Sequence, residues 1–84
     1  MAESQTRNVV ISGRRTSVRL EVPFWSALEE IIEQEGVALN VFMTRIDEVR
    51  HPELNLTSAV RVFVLSYLAA IARSHGLLLS PEAE

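Results

Sequence analysis

The sequence predicts a mainly α-helical fold with one short strand near its front. Two copies are expected to intertwine through a two-stranded antiparallel ribbon, with a third helix added at the C-terminal end. Residues 14 to 20, Arg-Arg-Thr-Ser-Val-Arg-Leu, alternate polar and apolar as a half-buried strand does. After Leu20 the apolar period lengthens to about 3.6 residues and runs through two stretches divided at Gly36. With 84 residues and no cysteine, neither size nor disulfides supply much stability, and a second copy is the expected supplement.

Residues 1 to 6 read as a disordered polar tail. Asn8 to Ser12 has strand composition and ends at Gly13; it either extends the ribbon, folds back on residues 15 to 20, or remains an arm. In the strand itself Val18 and Leu20 point to a core, while Arg15, Ser17 and Arg19 point away from it. A lone strand leaves its N–H and C=O groups without a ladder. Antiparallel pairing across a two-fold axis would satisfy them and present the three polar side chains twice.

Pro23 suits the first turn of a helix, and Trp25, Leu28, Ile31 and Ile32 form its apolar stripe. Glu29, Glu30, Glu33 and Glu35 read as its solvated side, and Gly36 stops it in the left-handed position. A second helix is expected from about Leu39 to Val49, with Leu39, Phe42, Met43, Ile46 and Val49 inward. His51 to Asn55 reads as a loop, since Pro52 disfavours helical geometry before it. Asn55 or Thr57 then caps a third helix to about Ser74, with Val60, Phe63, Val64, Tyr67, Leu68 and Ile71 inward. One domain over residues 7 to 76 follows, with 77 to 84 as a tail in which Leu77 to Leu79 fold back over the helix end.

The net charge of −3 argues against a nucleic-acid partner until its distribution is considered. All eight basic residues are arginine; four of them, Arg7, Arg14, Arg15 and Arg19, lie between Gln5 and Leu20, where there is no acid, while the other four share the rest of the chain with all eleven acids. A local basic strip steers a polyanion more than the total charge repels it. Arginine also matches phosphate and guanine bidentately. No enzyme is expected: there is no nucleophile elbow, phosphate loop or dinucleotide fingerprint, and the two histidines are not at ligand spacing. Hence no metal and no cofactor are expected. No stretch reads as a membrane span or a secretory leader, which points to a cytoplasmic protein.

Residues 14 to 49 resemble the ribbon-helix-helix (Arc/MetJ-like) superfamily in the interval from Leu20 to Gly36 and in the Gly-Val-Ala-Leu-Asn start of the second helix. More narrowly, residues 7 to 21, the Phe-Trp-Ser-Ala-Leu segment and Asn-Leu-Thr-Ser-Ala-Val-Arg-Val-Phe-Val-Leu are similar to a bacterial subfamily of small proteins that carries a third helix. The resemblance implies a homodimer on double-stranded DNA, with Arg15, Ser17 and Arg19 as base contacts, as alternation also indicates. It further implies a phosphate held by backbone N–H groups of Val37, Ala38, Leu39 and Asn40, a role open to any helix N-terminus. Relatives place serine or threonine where this chain has Ala38, which removes a hydroxyl from that clamp. Arg7 and Arg14 are expected as further phosphate contacts. The expected function is sequence-specific DNA binding in transcription regulation. The alternative is an adaptor or antitoxin-like module whose third helix docks another protein.

Overall fold

The computed structural model describes residues 3–76 and places two strands, not one, ahead of three helices. Strand β1 (Ser4–Ile11) and strand β2 (Arg14–Glu21) form an antiparallel hairpin, with Ser4 opposite Glu21 and Ile11 opposite Arg14. Only Ser12 and Gly13 lie between the arms, and both have positive φ, 51° and 82°. A two-residue turn of that hand matches the natural twist of paired strands, so the fold-back option is the one the chain adopts.

Two expectations are corrected here. The two-stranded ribbon forms within one chain, so the ladder that β2 needs no longer requires a second copy. Residues 4 to 6, expected as disordered tail, are strand residues. Their side chains are polar, but pairing joins backbone groups and continues to Glu3, whose C=O accepts the Val22 N–H at 2.7 Å. The expected tail over 77 to 84 lies outside the described residues.

Serine in the left-handed region carries a steric cost that asparagine tolerates better. Ser12→Asn is therefore expected to raise stability by roughly 0.5 kcal/mol, or about 2–4 °C in Tm for a domain of this size. Gly13→Ala should shift Tm the other way. A thermal melt reads both, and a lower Tm for Ser12→Asn would contradict the turn geometry.

Helices α1 (Val22–Glu35), α2 (Leu39–Val49) and α3 (Leu56–Ser74) cover one face of the hairpin. Gly36 ends α1 at φ 70°, with its own N–H bonded to Glu33 O and the Val37 N–H to Ile32 O. Asn55 caps α3, its Oδ1 accepting the Ser58 N–H at 2.8 Å. The core joins Val9, Ile11, Val18 and Leu20 of the hairpin to Trp25, Leu28 and Ile31, then Phe42, Met43 and Ile46, then Ala59, Val60 and Val64.

Three apolar residues expected inward are exposed instead: Val49 at 77%, Leu68 at 43% and Ile71 at 42%. Helical periodicity puts them on the apolar side of their helices, but none of the three belongs to the buried core, whose members on α2 and α3 end at Ile46 and Val64. By length and composition α3 is also apolar enough to cross a membrane, contrary to the reading of the sequence. Its Val60 and Val64 nevertheless pack in the core, and its Arg61 holds Glu21.

Candidate nucleic-acid interface

Alternation along the hairpin sorts its side chains into two faces. Val9, Ile11, Val18 and Leu20 face the helices, so Arg15, Ser17 and Arg19 are left on the open face, where all three are exposed. The register sets Val10 opposite Arg15, Asn8 opposite Ser17 and Thr6 opposite Arg19, giving the open face a second, uncharged row. Reading residues 14 to 20 alone could not find that row, because it depends on the hairpin register. The signal for it was the Ser-Gly pair between two strand-like runs.

The four arginines of the basic strip end in different surroundings. Arg15 and Arg19 stand on the open face, and among the described residues neither has a carboxylate within ion-pair distance. Arg14 is exposed beside the turn, by register on the other face. Arg7 is also on that face and its guanidinium is occupied. It meets Glu29 Oε2 at 2.7 Å and Gln5 Oε1 at 2.8 Å, and lies 4.6 Å from the centre of the Trp25 ring. Arg7, expected from sequence as a phosphate contact, here supports α1, and reaching a phosphate would mean exchanging these partners.

At the far end of β2, Arg61 reaches down from α3 and grips Glu21 with two hydrogen bonds of 3.0 Å. Those bonds hold the Glu21 carboxyl below the usual carboxylate range, with Arg19 adding a smaller push in the same direction. A depressed native value contributes stability above the unfolded value, and that contribution disappears as pH falls through the native one. The stability difference between the protein and its Glu21→Gln variant should thus be largest near neutrality and vanish in acid. Urea melts across that range measure it, and a difference independent of pH would refute the linkage.

The start of α2 lies against the outer edge of β1. Asn40 Oδ1 accepts the Val10 N–H at 2.9 Å, and Thr44 Oγ1 accepts the Ser12 N–H at 3.1 Å. The first turn of a helix has N–H groups without intrahelical acceptors, and Ala38 brings no side-chain cap to them. Of the four residues expected to hold a phosphate, Val37 has its N–H committed to Ile32 O at 3.1 Å. Ala38, Leu39 and Asn40 remain, next to the Val10 end of the open face.

The arrangement offers hydrogen-bond donors and positive charge. No set of three histidine, cysteine or acidic side chains is gathered at metal-binding distance among the described residues. His51 Nδ1 accepts the Glu53 N–H within its own loop. The ribbon-helix-helix domain family model matches residues 4–68, so β1, β2, α1, α2 and most of α3 fall within it. No curated protein and no solved structure matches the chain.

Proposed function

The chain belongs to the ribbon-helix-helix domain family, and from that premise we propose that it is a sequence-specific DNA-binding protein that regulates transcription. Domains of this family are generally DNA-binding, non-enzymatic modules that typically act as dimers. In the proposed complex the open face of the β1–β2 ribbon enters the major groove, which is about 12 Å wide and admits two strands. Arg15, Ser17 and Arg19 touch base edges. Arg14 and the free N–H groups of Ala38, Leu39 and Asn40 hold phosphates and fix the register.

One observation above all supports this reading: two exposed arginines, without carboxylate partners among the described residues, stand with Ser17 on one face of a two-stranded ribbon. Two copies on a two-fold site follow the habit of the family, and a bacterial, cytoplasmic setting goes with it. Selection from a random duplex pool near physiological salt tests the proposal. An enriched two-fold symmetric site is expected, whereas absence of any enriched site would overturn it.

A second reading, docking of another protein, has a specific observation in its favour. Val62, Leu65, Leu68 and Ile71 are exposed along α3, with Leu65 at 68%. A dimeric mass in solution, with no enriched DNA site, would favour that reading.

A further inference from the structure

We infer that Asn8, on the strand beside the arginine strand, is a specificity-determining residue that works with Ser17 as one unit, preferring guanine to adenine at the centre of the ribbon. The inference rests on the DNA-binding reading above, and it concerns a residue that the sequence did not single out.

The register makes Asn8 and Ser17 direct cross-strand partners on the open face. The Val22 N–H bonded to Glu3 O marks residues 3 and 22 as a hydrogen-bonded pair, and the Val10 N–H turns outward to Asn40. Counting in steps of two from either place makes 8 and 17 a non-hydrogen-bonded pair, the kind whose side chains approach more closely. Accordingly the Ser17 hydroxyl donates to Asn8 Oδ1 at 2.9 Å, and both residues are exposed.

That bond decides what the pair can offer a base. An unengaged asparagine presents one acceptor and one donor side by side, the pattern that reads adenine N6 and N7 bidentately. Here one of the two Oδ1 lone pairs accepts from Ser17, which ties the oxygen toward β2 and leaves it less free to accept from a base, while the Nδ2 hydrogens make no such bond. A group whose donors are freer than its acceptor is best matched by an edge made of acceptors, which guanine offers through O6 and N7, while adenine places a donor in the same edge. Arg15 and Arg19 flank the pair along β2 and are donors too. Arg15, Arg19 and the Asn8 amide together favour acceptors along this face.

The test is selection from a random duplex pool with the parent protein, Asn8→Ala and Ser17→Ala, each verified as folded by its thermal melt. For the parent, guanine is expected over adenine by roughly tenfold at the central position. Asn8→Ala should erase that preference and leave those under Arg15 and Arg19 in place. Ser17→Ala releases the amide and should move the same position toward adenine. Weakening by Asn8→Ala that is equal across all sequences would make Asn8 a phosphate contact and overturn the proposal, as would an unchanged central preference. A parent without any enriched site would instead remove the DNA-binding reading itself.

Discussion

Arg19→Ala is expected to cost about 1–3 kcal/mol of DNA affinity, concentrated at one base position in each half-site. Arg19 is on the open face, exposed, and among the described residues has no carboxylate partner within ion-pair distance, so its donors are available to a groove. Glu21, the acid that lowers local charge at this end, has its carboxylate hydrogen-bonded by Arg61 from α3. A bidentate arginine reads guanine O6 and N7, and truncation removes both bonds at once. Arg15→Ala should behave alike at a different position. Arg14→Ala should weaken all sequences by the same factor and flatten the salt dependence, as loss of a phosphate contact does. Binding isotherms on duplexes varied one position at a time separate these outcomes. Equal losses for Arg19→Ala on every duplex would sink base readout by that residue.

The largest effect on stability is expected from Trp25→Ala, at about 3–5 kcal/mol. Trp25 is 1% exposed, and its indole N–H donates to the Gln5 C=O at 2.8 Å. It thus fastens β1 to α1 while filling the centre of the core, and the Arg7 guanidinium covers its ring. A domain of this length has roughly 4–13 kcal/mol of total stability, so the variant should be marginal or unfolded at room temperature. Trp25→Phe keeps most of the apolar volume but leaves Gln5 without its indole donor, and should cost much less. Chemical denaturation followed by circular dichroism measures both. A loss under about 1 kcal/mol for Trp25→Ala would mean that the ring does not organise the core as described.

Most of the fold was legible in local patterns. The β2 alternation, the change of period at Pro23, the glycine stop at Gly36 and the α2 limits each depend on a few neighbouring residues, and each stands where the sequence put it, while α3 takes Asn55 of its two candidate caps. The open-face residues Arg15, Ser17 and Arg19 were legible for the same reason. The first strand was less so, because Val9, Val10 and Ile11 form a run without alternation, and residues 4 to 6 are polar. The turn had a signal in Ser12 and Gly13, but serine is a weak indicator of positive φ. The ends of α2 and α3 were read as inward because helical periodicity shows which face is apolar, not whether anything lies against it.

What the sequence by itself determined, then, is the order of elements from β2 onward, the apolar side of each, and the basic character of the strip that runs through the hairpin. Only the tertiary structure decided what β2 pairs with, which arginines remain available and which N–H groups stay free. Strand pairing is a non-local choice, fixed here by a two-residue turn and by Asn40 and Thr44, far along the chain, which satisfy the outer edge of β1. The fate of Arg7 is non-local in the same way, since its position in the strip says nothing of Glu29 and Trp25 waiting on α1. Charge can be counted along a chain, but whether a charge is engaged depends on which groups the fold brings within hydrogen-bonding distance.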